Sequence, residues 1–191
     1  MTNASALVRA ARKSRGLTQK DLAQRTHVDQ GRVSRLEGGR EAEFSTVERF
    51  LGSAGHRLYS APTQRDDAAV IAAAIRRYLR AGDKHSALRE LIQLGDNLAS
   101  EHGLVRGVLG LAEPELTGDR AWDAAIAGLV ELRLSEEGLP APLWVTDAKR
   151  RLKTPRTLDV DPADPIPEPA DVPNEFLGRG VLVWRDTLAS I

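Results

Sequence analysis

Breakers divide the first 60 residues so closely that only short helices fit between them. Leu7, Val8 and Ala11 recur at helical spacing over residues 4–14, and Gly16 stands where that helix must stop. Thr18, with Asp21 three residues on, reads as the N-cap of a second helix that runs to about Arg25 and turns Leu22 and Ala23 inward. A tight connection through His27, Val28 and Asp29 opens a third helix over 30–37, with Val33 and Leu36 on its buried face and Gly38-Gly39 ending it. Residues 45–54 make a fourth, with Val47, Phe50 and Leu51 inward, and 56–60 read as a short strand or extended arm.

Short helices of which two are separated by a tight turn are the elements of a helix-turn-helix domain. Charge agrees with that reading. The chain of 191 residues is formally neutral, yet residues 1–64 hold 11 lysines and arginines against 6 acids, and residues 159–191 hold 2 against 7. A basic head suits a polyanion, and an acidic tail suits solvent or a basic partner.

The residues Val8-Arg9-Ala10-Ala11-Arg12-Lys13-Ser14-Arg15-Gly16-Leu17-Thr18-Gln19-Lys20-Asp21-Leu22-Ala23, followed by Val33-Ser34-Arg35-Leu36-Glu37-Gly38-Gly39, resemble the Cro/C1-type (XRE) helix-turn-helix family over residues 1–60. The resemblance implies a lambda-repressor-like DNA-binding domain over 1–62. In a helix-turn-helix the start of the third helix enters the major groove, which leaves Gln30, Gly31, Arg32, Ser34 and Arg35 exposed there. Gln19 resembles the family's glutamine that braces the DNA backbone, while Thr18, Lys20 and Arg40 are candidates for phosphate contact. Arg12 and Glu37 match a pair that the family packs as a mostly buried ion pair, so both are expected to serve the scaffold.

Beyond Pro62 the apolar periodicity is again helical, over 68–80, 84–101, 104–111 and 120–136, and residues 143–152 suggest one more helix. The expected architecture is therefore all-α, with a helical interaction or dimerisation domain over 66–158 and an extended acidic, proline-rich strap over 159–191. Prolines 162, 165, 167, 169 and 173 alternate with acids in that strap and form no core of their own. The strap ends in Phe176, Leu177, Val181, Leu182, Val183 and Trp184, an apolar load that must be covered either by the chain's own helices or by a partner. Trp144, Phe176 and Trp184 are the candidate partner anchors.

Catalytic and metal readings fare poorly. The chain has no cysteine, which removes disulfides, thiol catalysis and Cys-containing zinc sites, and its four histidines have no ligand spacing. Ser45, His56 and Asp66 lie in no nucleophile elbow, and the glycines of 103–110 follow no strand. No cofactor is expected. A long apolar run and a basic-apolar leader are both lacking, so no membrane contact and a cytoplasmic location are expected.

Residues 118–129, 138–144 and 173–181 resemble the helical extension of actinobacterial helix-turn-helix proteins encoded beside a nucleotidyltransferase-like toxin. That resemblance implies an antitoxin: it would neutralise a cognate toxin through its C-terminal part and repress its operon by binding double-stranded operator DNA through its head. A head of this size reads only a few base pairs, so a homodimer on the DNA is expected. A free-standing regulator whose helical domain binds a small ligand or only dimerises is the alternative.

Overall fold

A computed structural model describes residues 4–58 and 60–188, and the chain divides into two compact units, Met1–Pro62 and Thr63–Ile191. Among the described residues every regular element is helical, and the only ladder-like feature is an isolated parallel bridge between Arg156 and Val181.

The head contains α1 (Ala4–Ser14), α2 (Gln19–Thr26), α3 (Gln30–Glu37) and α4 (Phe44–Ser53). Local chemistry sets each boundary. The Thr18 hydroxyl accepts from the Asp21 amide at 3.1 Å while the Asp21 carboxylate accepts from the Thr18 amide at 2.8 Å, a reciprocal cap that starts α2. His27 closes α2 in the left-handed region, with φ of 55°. Two residues later Asp29 caps α3 by accepting from the Arg32 amide at 2.9 Å. The core between these helices is Val8, Leu22, Val33, Leu36, Val47, Phe50 and Leu51, all buried. Residues 56–58 form no strand, and Tyr59 lies outside the described residues.

The second unit contains α5 (Ala68–Arg80), α6 (Lys84–Ala99), α7 (Gly103–Leu111), α8 (Arg120–Ser135) and the single turn α9 (Asn174–Leu177). Its axis is α8, whose residues 121–130 are all buried. A helix apolar on every side requires cover on every side, and residues 143–188 supply what α5, α6 and α7 do not. The helix expected over 143–152 is instead two 3-10 turns, Leu143–Thr146 and Ala148–Arg150. Asp147 separates them because its carboxylate caps the second turn at the Lys149 amide, 2.9 Å away.

The acidic segment is not a separate strap. Leu158, Val172, Phe176, Val181, Val183 and Leu188 join the same core as Trp122, Ile126 and Leu129. Three backbone bonds stitch the segment down: the Leu152 amide to the Arg179 carbonyl (2.9 Å), the Arg156 amide to the Gly180 carbonyl (3.0 Å), and the Leu182 amide to the Arg156 carbonyl (3.0 Å). Buried Arg179 then reaches Glu131 of α8, the Glu175 carbonyl at 2.7 Å and the Val145 carbonyl at 3.1 Å. Phe176, expected at a partner surface, is wholly buried. It fits because α8 has no side chain at Gly128: a methyl there would stand 3.3 Å from the Phe176 ring and 3.3 Å from the Glu175 carbonyl.

Candidate nucleic-acid interface

The scaffold of the head is anchored on one buried carboxylate at the end of α3. Arg12 of α1 donates from Nε to Glu37 Oε1 at 2.6 Å and from Nη2 to Oε2 at 2.9 Å, and its Nη1 donates to the Leu17 carbonyl at 2.7 Å. Gln19 adds a bond from Nε2 to Glu37 Oε2 at 3.0 Å, and Arg9 donates to the Glu37 carbonyl. Burial alone would raise the Glu37 carboxyl, but the hydrogen bonds from Arg12 and Gln19 and the charges of Arg12 and Arg9 outweigh it and hold the pKa below its ordinary value. This pair therefore fixes α3 against α1 and α2.

With its C-terminal end so fixed, α3 turns Val33 and Leu36 into the core and leaves Gln30, Arg32, Ser34 and Arg35 exposed. Asp29 has a second duty besides capping. Its carboxylate lies 3.7 Å from Arg35 Nη2, and a methyl at Gly31 would stand 2.9 Å from that carboxylate and 3.0 Å from Arg35 Nη1. Gly31 thus leaves room for the Arg35 side chain to lie back along the helix toward its cap. Arg40 follows at once after Gly39, whose φ of 100° turns the chain, and the Arg40 amide donates to the Arg35 carbonyl at 3.1 Å.

Arg32, Arg35 and Arg40 line one open groove of about 510 Å³, shared with Asp29, Glu41 and Glu43. Its floor is Leu36 and Phe50, and Thr46 completes the α4 side. The three arginines are what the sequence led us to expect; the acids of the α3–α4 loop are not. Nor was Phe44, which begins α4 with its ring largely in solvent beside an N-cap, Glu43, that makes no side-chain cap bond. An apolar residue just ahead of the predicted helix was the available signal.

Two expected DNA contacts are otherwise engaged. The Thr18 hydroxyl is tied to Asp21, donating to Oδ2 at 2.7 Å, and this bond is the main reason the Asp21 carboxyl sits below its ordinary value. The Gln19 amide is held by Glu37. Both remain at the start of α2, whose Thr18 and Asp21 amides are taken up by the reciprocal cap. His56 engages both ring nitrogens locally, with the Ala54 carbonyl at 2.9 Å and Ser14 Oγ at 3.1 Å.

Residues 4–52 match the family described as a helix-turn-helix domain. The head is a helix-turn-helix domain. A domain of this kind suggests a DNA-binding regulator. Neither a curated protein nor a solved structure matches the chain. Among the described residues, no helix is long and apolar enough to cross a membrane, and no three His, Asp or Glu residues are gathered as a metal site.

Of the three expected partner anchors, the second unit buries two. Phe176 lies against α8, and Trp144 is nearly covered, with its indole N–H donating to the Gly110 carbonyl at 3.1 Å and the Arg150 guanidinium 4.7 Å from its ring. Trp184 stays partly exposed. Its indole N–H donates to the Pro165 carbonyl at 3.2 Å, next to the exposed Ile166.

Proposed function

We propose that the chain is a sequence-specific transcriptional repressor that reads double-stranded operator DNA through α3, and that it acts as the antitoxin of a nucleotidyltransferase-like toxin. The observation that carries the DNA-reading part is the face of α3: Gln30, Arg32, Ser34 and Arg35 stand exposed on a helix capped at Asp29 and pinned through Glu37. Arg pairs bidentately with guanine and Gln with adenine, so these side chains are suited to base edges, while Arg40 and the start of α2 are suited to phosphates. A head of this size reads few base pairs, which calls for a homodimer on a pseudo-palindrome with half-sites about 34 Å apart. Such a regulator works where the chromosome is, in the cytoplasm.

The toxin part rests on the resemblance of the second unit's sequence, and a surface feature supports it. Exposed Ile166 and partly exposed Trp184 lie in a segment carrying Asp161, Asp164, Glu168, Asp171 and Asp186, an apolar pair with acidic surroundings suited to a basic protein surface. Because the segment is part of the core, the useful variants change surface side chains rather than delete it. Co-expression with the neighbouring gene product tests the reading. Ile166→Ala with Trp184→Ala should abolish rescue while operator binding in a gel shift is retained. Full rescue by that variant contradicts the proposed surface. The lack of any co-encoded nucleotidyltransferase favours the free-standing regulator.

A further inference from the structure

One helix of the second unit is apolar on two opposite faces. On the inner face of α7, Leu109 is buried and Gly110 lies so close to α8 that a methyl there would stand 2.9 Å from Val130. Arg106, the one charged residue of α7, also points inward, donating to the carbonyls of Glu101 (2.7 Å), Arg133 (2.9 Å) and Ala99 (3.1 Å). What remains outside is Leu104, Gly107, Val108 and Leu111, at the i, i+3, i+4, i+7 spacing of a docking face. Leu104 is 83% exposed, Leu111 62% and Val108 38%. The Trp144 bond to the Gly110 carbonyl brings the turn Leu143–Thr146 to the C-terminal end of this helix, and Leu143 is 76% exposed.

We propose that this face of α7 is where two copies of the chain pair, antiparallel about a two-fold axis passing between Gly107 and Val108. The inference deepens the dimer of the proposed regulator and rests on that reading.

The occupant follows from the pattern of the face. A two-fold axis requires a surface complementary to itself. Leu104 and Leu111 are equidistant from the midpoint of Gly107 and Val108, so antiparallel pairing sets each Leu104 against the other copy's Leu111. Gly107 has open space where a side chain would be, which admits Val108 of the second copy. The absence of charge on the face and the helix dipoles suit the same arrangement. No ionised side chain stands on the face to be stripped of water, and each helix sets its positive N-terminal end beside the negative C-terminal end of the other. Burying Leu104, Val108, Leu111 and Leu143 on both copies removes roughly 900 Å² of surface, below the 1,200 Å² or so of the smaller stable interfaces and in the range of weak, micromolar association.

The test uses the full chain in sedimentation without DNA, with gel shift as a separate readout. Wild type should sediment as a dimer at micromolar concentration. Leu104→Glu and Leu111→Lys should each weaken dimerisation at least tenfold without lowering the circular-dichroism melts, since both positions face solvent in the monomer and each charge suits its end of the helix dipole. The double variant, Leu104→Glu with Leu111→Lys, should regain the dimer, because the two-fold sets opposite charges together at both ends. In the cysteine-free background, Val108→Cys should be joined by a short bismaleimide far faster than Leu104→Cys. A wild-type monomer, single variants that stay dimeric, or a double variant that is no better than the singles overturns the proposal. Loss of capture of a co-encoded protein by the single variants, with wild type monomeric, overturns it in favour of that protein as occupant. A dimer broken by the single variants in a chain without operator affinity upholds the face and refutes the DNA-reading function instead.

Discussion

Both units bury a carboxylate, but Glu37 in the head and Asp123 in the second unit are held by different chemistry. Glu37 accepts from Arg12 on both oxygens and from Gln19 on one of them, and its pKa is lowered. Among the described residues Asp123 accepts from Thr117, both the amide at 2.7 Å and the hydroxyl at 2.9 Å meeting the same oxygen, Oδ1. Burial therefore dominates, Arg150 acts only through space, and the Asp123 pKa is raised. The head is keyed by a charge pair between short, locally specified helices. The second unit is keyed by apolar burial around α8, to which chain ends far apart in sequence contribute.

The largest expected effect falls on the second unit. Phe176→Ala removes a wholly buried ring from the α8 contact and should cost about 3–5 kcal/mol. Hydrogen exchange should rise across α5, α6 and α8, with protection of residues 4–52 unchanged. Equal loss in both units would break the comparison. Next comes Glu37→Gln, which puts an amide N–H₂ where one of the two oxygens now accepts from Arg12. About 3 kcal/mol should be lost from the head, read as faster exchange in α1 to α3 alone. Asp123→Asn should instead change stability by less than about 1 kcal/mol, since one amide oxygen can accept both Thr117 bonds. A cost as large as that of Glu37→Gln would show that the Asp123 charge is needed.

Acid sharpens the same contrast through opposite signs. The lowered Glu37 pKa means that its contribution is complete above the ordinary 4.5 and is lost as pH falls through the folded-state value. The raised Asp123 pKa means that its ionised form opposes folding. That penalty is absent below the ordinary 3.8 and grows as pH rises through the folded-state value. The stability gap between wild type and Glu37→Gln should therefore shrink on acidification from pH 6 to pH 3. For Asp123→Asn the change should run the other way, with the variant gaining relative to wild type as pH rises. Parallel pH profiles for the two variants would refute the account of both sites.

Legibility in the sequence follows the same division. In the head, Gly16, Thr18, Asp29 and Gly38 act within a turn or two of where they stand, so α1 and α3 have the predicted ends and Val33 and Leu36 the predicted direction. The α3–α4 loop escaped because Glu41 and Glu43 obey no period, and the engagement of Gln19 by Glu37 needs a fold to be seen. In the second unit the apolar period over 120–136 marks α8 as a helix, but not that its remaining sides, with Asp123, Ala124 and Ala127, are covered as well. Leu158, Val172 and Phe176 enter the core at irregular spacing from a segment whose prolines and acids read as solvent-facing. Backbone bonds such as that from Leu182 to Arg156, the side-chain bonds of Arg179 and the packing of Phe176 on Gly128 hold them there, and no local pattern encodes these.

The central claim is that exposed side chains of α3 read DNA sequence, and it is tested most directly by comparing wild type with Arg35→Ala on a site selected from random DNA and on scrambled DNA. The account expects wild type to prefer the selected site, and Arg35→Ala to lose about 1–3 kcal/mol on it, with relaxed preference at one base pair and little change on scrambled DNA. Equal loss on both DNAs would reduce Arg35 to a phosphate contact. A wild-type chain that selects no site at all would contradict the claim.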